Sequence, residues 1–275
     1  MVLRPTDLAP FALALHELAE QLAQARGRTL YGDILHDYRV CLRRLEAIAP
    51  LLYPGAVDNE SMALLNKERA QSNVLRDRDV LQAYLREQMP DLVRHVSTAK
   101  AEYQPANKRL KLIVTRLAHW SPPACDLECS RFVIHFSLQQ LQIWALLHNR
   151  LLQLQGLLED RACGGEAIIH AAHRLRVVIK RARYLQEWQA NLPIRSTPVW
   201  PALRQWQDRL GYASDRSMIA HWLQRHGWQH EALLVHNELA QWLPLLAEQL
   251  TALRAACDDQ LEQLSGLSLS GYFFH

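Results

Sequence analysis

The stretch HDYRVCLRR at positions 36–44 returns as HRLRVVIKR at positions 173–181. Both copies carry His, Arg, Val and a pair of adjacent basic residues at the same spacing. Their first positions, 36 and 173, differ by 137, which is about half of the 275-residue chain. The duplication therefore predicts two structurally equivalent halves, each contributing one basic stretch.

Apolar residues repeat in the same register as the basic ones. In each copy, four of them follow the three- and four-residue spacing of one helix face. They are Leu35, Tyr38, Leu42 and Leu45 in the first copy and Ala172, Leu175, Ile179 and Ala182 in the second. The basic residues lie roughly 115° from the centre of that apolar face, whereas a fully solvated stripe would lie near 180°. We therefore expect the basic side chains to flank the core and to form the walls of a groove. The alternative, a solvated face with chance similarity, is disfavoured by the matched register.

Composition and periodicity predict helix nearly throughout. Leu, Ala, Gln, Arg and Glu dominate, while Gly and Pro number only 10 and 12. The predicted helices cover 7–25, 33–52, 60–88, 91–119 with a break at 104–105, 130–160, 166–190, 201–210, 215–225 and 228–262. The strongest interruption, Ser121-Pro122-Pro123, falls near the midpoint. The fold class is therefore predicted to be all-α, with two helical bundles in tandem at 1–122 and 123–275.

Charge is concentrated locally and not over the whole chain. The formal net charge is only +3, from 31 Lys and Arg against 28 Asp and Glu. Residues 173–184 nevertheless contain five Lys or Arg and no acid, and residues 105–120 contain four and no acid. Such stretches favour the binding of a polyanion over bond cleavage.

The chain is expected to be an intracellular protein. Its five cysteines are odd in number and show no disulfide framework, which is typical of a reducing cytosol. The N-terminus has no basic segment followed by an apolar core, so no signal peptide is predicted. No apolar run approaches the ~18 residues of a membrane span.

Known catalytic and metal-binding motifs are missing. We find no Walker A, Gly-x-Gly-x-x-Gly, Gly-x-Ser-x-Gly or His-Glu-x-x-His pattern. The Cys125/Cys129 pair has zinc-like spacing but no second pair, and His36-Asp37 lacks the further ligands of a phosphohydrolase. His221, His226, His230 and His236 form a loose cluster without a known ligand pattern. We therefore predict no catalytic residues, no metal and no cofactor.

Four elements resemble the CHAD family, the conserved histidine α-helical domain, in the family's order over residues 36 to 215. The first is His36-x-x-Arg39-Val40-x-x-Arg43-Arg44, which resembles the signature helix. The others are Arg76-Asp77-Arg78-Asp79-Val80, the second signature helix from His173 to Tyr184, and Leu210-Gly211-x-x-x-Asp215. Val74-Leu75 departs from the family's common Leu-Gly, and Glu46 stands where Arg is frequent. The second copy therefore carries the denser charge.

The resemblance implies a single domain over 1–275, built from two four-helix bundles related by a pseudo-twofold axis, with a basic groove between them. It also implies non-catalytic binding of inorganic polyphosphate in the cytoplasm, often at polyphosphate granules. The Glu-x-Glu-x-Lys signature of the triphosphatase domain to which some members are fused is missing from this sequence. The binding residues assigned are His36, Arg39, Arg43, Arg44, Arg76, Lys108, Lys111, His173, Arg176, Lys180, Arg181 and Arg183.

Two other functions stay open on the sequence alone. An RNA-binding protein could use the same groove, although such proteins interleave exposed aromatic residues with basic ones. Here the basic stretches contain only Tyr38 and Tyr184, and the Trp residues of the helical segments are expected in the core. A phosphoanhydride hydrolase is the second alternative. Asp77 and Asp79 are expected to orient arginines and not to touch the ligand.

Overall fold

The computed structural model describes residues 32–52, 59–98, 108, 129–160, 164–189 and 201–266. Every regular element within these ranges is a helix, which confirms the all-α prediction. The elements are α1 (Gly32–Leu52), α2 (Asn59–Gln88), a 3-10 turn (Pro90–Leu92), α3 (Val93–Thr98), α4 (Cys129–Glu159), α5 (Gly165–Gln189), α6 (Pro201–Arg225) and α7 (Gln229–Gly266). The predicted helix over 7–25, the break at 104–105, the boundary at 122/123 and Cys125 lie outside the described residues.

The chain divides into two compact units, residues 1–135 and 136–275. The first repeat copy lies on α1 in the first unit, and the second lies on α5 in the second unit. The duplication of sequence is therefore a duplication of helices in separate units. The pairing of four helices in each half stays a prediction.

In the first unit, α1 packs its apolar face against α2. Leu35, Tyr38 and Leu42 are at most 2% exposed, and Leu75 and Leu81 of α2 are fully buried. Each such side chain contributes about 1.5–3 kcal/mol to folding by leaving water. The apolar register predicted for the first copy is thus confirmed at these three positions, and the side chain of Leu45 lies outside the described residues.

The end of α2 is set by Pro90, as the sequence predicted. Pro90 disfavours helical backbone at the residue before it, and Met89 has φ −144° and ψ 62°. The chain then forms a short 3-10 turn that begins with Pro90. At the start of a helical turn, the missing N–H of proline costs no hydrogen bond. Leu92 is buried and fixes this turn to the core.

In the second unit, α5 packs on α6 and α6 packs on α7. The predicted apolar face of α5 is confirmed, because Ala172, Leu175, Ile179 and Ala182 are at most 2% exposed. The first helix of this unit, α4, reaches α7 where the Cys257 thiol donates a hydrogen bond to the Trp144 carbonyl at 3.7 Å. Burial there raises the pKa of the Cys257 thiol to about 12.

The turn between α6 and α7 depends on one glycine. Gly227 has φ 85°, a left-handed conformation that costs residues with a Cβ free energy. The Trp228 N–H reaches back over it to the Leu223 carbonyl at 2.9 Å, as in a Schellman motif. This closure lets α7 return along α6.

One helix prediction is wrong. The sequence predicted separate helices at 201–210 and 215–225. The structure has a single helix, α6, through Gly211. Packing against α5 outweighs the roughly 1 kcal/mol by which glycine disfavours a helix interior. The predicted helix over 228–262 is confirmed as α7, which also continues through Pro244.

Of the tryptophans predicted in the core, three are buried and Trp242 is half-buried, while the side chain of Trp188 lies outside the described residues. Trp144, Trp206 and Trp222 are 3%, 4% and 8% exposed. They therefore offer no open rings for bases to stack on. Among the residues that the structure describes, no helix is long and apolar enough to cross a membrane.

Candidate anion-binding surface

The basic residues of α5 lie at the edge of its buried face. His173 and Arg181 are exposed, and Arg176 and Lys180 are half-buried. Because the stretch lies on the helix that packs against α6, its inner members contact α6 while its outer members meet solvent. The sequence predicted this flanking position, and the burial of the four side chains agrees with it.

Arg176 occupies a fitted position between α5 and α6. Its Nη1 lies 4.0 Å from Oδ1 of Asp215, and its side chain is 15% exposed. A Cβ placed on Gly211 would lie 2.8 Å from Arg176 Nη2 and 3.2 Å from Cζ. The guanidinium therefore rests on the bare backbone of Gly211 and pairs with Asp215 one turn later. This contact gives the Leu-Gly-x-x-x-Asp element a physical purpose.

Gly211→Ala is expected to lack the gain that alanine normally brings to a helix interior. The added methyl group must displace the guanidinium of Arg176. Gly156→Ala in α4 is the matched control, since nothing lies within 4 Å of a Cβ there. We expect Gly156→Ala to stabilise the protein by about 0.5–1 kcal/mol and Gly211→Ala to be neutral or destabilising. Urea denaturation measures both, and equal stabilisation by the two would contradict the fitted position.

His173 is oriented by α6 as well. Its Nδ1 lies 3.4 Å from the Ser214 hydroxyl, and that hydroxyl donates its own proton to the Leu210 carbonyl at 3.0 Å. The contact is long, and the ring remains exposed.

The last three basic residues of α5 differ in their surroundings. Lys180 is half-buried, and Arg181 is exposed and donates to Gln139 of α4 at 3.2 Å. Arg183 lies 2.7 Å from Glu187 and 4.7 Å from the centre of the Tyr184 ring, with 17% of its side chain exposed. Arg183 is therefore engaged within its own helix, whereas Arg181 is exposed to solvent.

In the first unit, Arg39 is buried and not at the surface. It is 6% exposed, and it donates from Nη1 to the Ser72 carbonyl at 2.9 Å and from Nη2 to Asn73 Oδ1 at 2.7 Å. Its guanidinium is therefore held by α2, much as Arg176 is held by α6. Sequence reasoning placed Arg39 among the ligand-binding residues, and the structure places it inside the helix pair.

The other basic residues of α1 lie further out. His36 is exposed, and Arg43 and Arg44 are half-buried. Burial raises the pKa of the Cys41 thiol, while the charge of Arg44 lowers it in part and that of Asp37 raises it. Asp37 is exposed and adds a negative charge to this surface. The equivalent residue of α5 is Arg174, which is positively charged.

Arg76, the α2 residue of the predicted set, is paired with its neighbour. Its Nη1 lies 3.2 Å from Asp77, and Arg78 lies 2.6 Å from Asp79. The two aspartates thus pair with the arginines that precede them, and their orienting role towards the binding residues stays a prediction. Lys108 is exposed, and Lys111 lies outside the described residues.

Comparison with known proteins identifies the family. A family model described as the CHAD domain matches residues 12–224. The chain belongs to the CHAD family. A crystal structure of the CHAD domain from the plant Ricinus communis is similar to this CHAD chain, with a TM-score of 0.62, 23% sequence identity and coverage of 90% of both chains. A comparison with curated proteins finds none that matches.

The CHAD chain offers no metal cluster in the part that the structure describes. No group of three His, Cys, Asp or Glu residues is placed there to hold an ion. His226, one of the four loosely clustered histidines, stacks on Trp222 with ring centroids 4.1 Å apart. Its Nδ1 lies 2.8 Å from the Trp222 carbonyl, so it closes the end of α6.

Sequence reasoning missed several residues of this CHAD surface. Ser72, Asn73 and Ser214 each contact a signature residue on the neighbouring helix. Glu68, fully buried on α2, accepts a hydrogen bond from Tyr38. No spacing pattern within one helix predicts such contacts, because they join two different helices. Only the Leu-Gly-x-x-x-Asp element indicated a functional contact, and the sequence did not show that Arg176 is its partner.

Proposed function

We propose that the chain binds inorganic polyphosphate, without turning it over, through the basic side chains of α1 and α5. A single observation carries the proposal: the same arrangement occurs once in each unit. In each unit, an exposed histidine lies seven residues before the first member of an adjacent basic pair. In the first unit these residues are His36 and Arg43, and in the second they are His173 and Lys180. Along a helix this separation is about 10 Å, which can meet several successive phosphates.

The chemistry of these side chains suits a polyanion without bases. Arginine offers forked donors that match phosphate oxygens, and lysine acts as a mobile point charge. Polyphosphate presents no base edges, so recognition needs charge and spacing alone. The CHAD resemblance described above favours the same ligand. Attachment to polyphosphate granules in the cytoplasm would follow from this binding and is part of the proposal.

The proposal is tested by titration with polyphosphate chains of several lengths at two salt concentrations. Each phosphate contact should release counterions, so that the plot of log affinity against log salt concentration falls more steeply, by about 0.7 per contact. We expect tighter binding of longer chains and a steep loss of affinity between about 50 and 200 mM salt. Undetectable binding at low salt, or an affinity that does not change with salt concentration, would contradict the proposal.

The same samples separate the two alternatives. If RNA displaces polyphosphate at equal phosphate concentration, the protein is a nucleic-acid binder. The burial of Trp144, Trp206 and Trp222 argues against that outcome, because single-strand binders use exposed aromatic platforms. If phosphate appears with time, and a chelator or His173→Ala abolishes its release, the protein is a hydrolase and the non-catalytic proposal is wrong.

A further inference from the structure

Arg39 and Arg176 occupy the same position in the two repeat copies, and both point into a helix pair. Position 176 is position 39 advanced by the repeat offset. Arg39 is 6% exposed, and the side chain of Arg176 is 15% exposed. The outer residues of the same helices, His36, His173 and Arg181, are exposed. The repeated arginine is thus an inner residue of a stretch that begins with an exposed histidine.

The two arginines are held by different chemistry. Arg39 donates to the Ser72 carbonyl and to Asn73. Arg176 lies against Gly211 and beside Asp215. The second helix of each pair differs accordingly, since fully buried Leu75 occupies the place in the element that Gly211 takes in the second unit. A leucine side chain leaves no room over the backbone, so Arg39 is bound by residues further back on α2. The same inner placement is reached by two routes, which indicates that the placement itself matters.

We propose that Arg39 and Arg176 are positioning residues that fix α1 and α5 against their neighbours, and that they do not contact the bound polyanion. The inference rests on the proposed function and changes the assignment of two of its residues. A helix held at this point cannot rotate about its axis, so the outer basic residues keep one common direction. Arg43, Arg44, Lys180 and Arg181 are then the residues that contact phosphate.

The donors of the two arginines support this division of roles. Both Nη atoms of Arg39 are hydrogen-bonded to α2, so a phosphate would have to displace two charge-assisted bonds. Arg176 lies beside Asp215, whose negative charge offsets its own and would repel an arriving phosphate. Neither environment favours exchange of the present partner for a mobile polyanion.

The test compares Arg176→Gln, Arg176→Lys and the charge-balanced double variant Arg176→Gln/Asp215→Asn with Arg181→Gln as the contact control. Thermal unfolding gives the melting temperature. Polyphosphate affinity is measured at four salt concentrations, at a temperature where circular dichroism shows every variant folded. We expect the three Arg176 variants to lower the melting temperature by about 5 °C and to weaken binding by the same factor at every salt concentration. Their plots of log affinity against log salt should lie parallel to that of the wild type.

Arg181→Gln should behave in the opposite way. It should reduce the slope by about 0.7, the value of one phosphate contact. The melting temperature should change little, because the hydrogen bond from Arg181 to Gln139 is exposed to solvent. Arg176→Lys is informative because lysine keeps the charge but lacks the forked geometry of arginine. A positioning role predicts that lysine fails to restore binding, whereas a phosphate contact predicts that it restores most of the affinity and the full slope.

Two outcomes would overturn the inference. A reduced slope in Arg176→Gln, restored by Arg176→Lys, would make Arg176 a phosphate contact. A lower melting temperature with unchanged affinity at every salt concentration would make it a structural residue without influence on the ligand. If wild-type protein shows no salt-dependent binding, the proposed function fails first, and the melting temperatures still report whether Arg176 joins α5 to α6.

Discussion

Replacing Arg43 and Lys180 together by glutamate is expected to lower the affinity for long-chain polyphosphate by at least about 100-fold. The two residues are equivalent in the repeat, and each is a half-buried member of the basic stretch on its helix. The double change removes one phosphate contact from each unit and puts a repelling carboxylate in its place. Helicity should be retained, because glutamate is as good a helix former as the residues it replaces.

A control of equal charge separates local contact from overall attraction. Arg86→Glu/Arg225→Glu changes two exposed arginines outside α1 and α5. Along their helices, Arg86 lies about 20 Å from Asn73, which contacts Arg39, and Arg225 lies about 16 Å from Ser214, which contacts His173. In both double variants two positive charges become negative, so the formal net charge falls from +3 by four units to −1. We expect the control to weaken binding only slightly, because exposed charges further away than a Debye length of about 10 Å are screened. Equal losses in both variants would show that no particular surface binds the ligand.

The single variants should be unequal. Lys180 stands in a stretch without acids, whereas the stretch that contains Arg43 also contains exposed Asp37. The potential that attracts a polyanion is therefore stronger around Lys180. We expect Lys180→Glu to cost more affinity than Arg43→Glu, in titrations carried out at the same salt concentration. The reverse order would contradict the prediction that the second unit binds more tightly.

Periodicity predicted the helices because a buried helix face needs apolar residues at fixed spacing. The bounds of α1, α2, α4 and α5 agree with the predicted ones to one residue at each described end. Burial of Leu35 and Leu175 followed from the same pattern. These properties are local in sequence, since each helix satisfies its own backbone hydrogen bonds and displays its own apolar face.

The interior of each helix pair could not be predicted in the same way. The sequence gives the angle of Arg39 around α1, but burial depends on which residues α2 presents opposite to it. Asn73 and the Ser72 carbonyl make that side a set of acceptors, and no spacing within α1 reveals this. Gly211 shows the same limit, because its place in the Leu-Gly-x-x-x-Asp element does not reveal that Arg176 rests on it. Contacts between distant segments decided both cases.

Tyr38→Phe is expected to destabilise the first unit by about 3 kcal/mol, a large effect for the loss of one oxygen atom. Tyr38 and Glu68 are both fully buried, and the tyrosine hydroxyl donates a hydrogen bond to the glutamate carboxylate. Phenylalanine fills nearly the same volume, so packing is kept while the carboxylate loses a buried donor. Urea denaturation, monitored by far-UV circular dichroism, measures the change in the free energy of unfolding.

The double variant Tyr38→Phe/Glu68→Leu should be more stable than Tyr38→Phe alone. Replacing both members of a buried polar pair by apolar residues is often neutral, whereas removing one member alone is costly. The second unit supports this expectation, because the position equivalent to Tyr38 is Leu175, which is fully buried. The helix pair thus forms in one unit without a tyrosine at this position. If the double variant loses as much stability as the sum of its single variants, the pair is not coupled. In that case, the cost of Tyr38→Phe would come from packing and not from the lost hydrogen bond to Glu68.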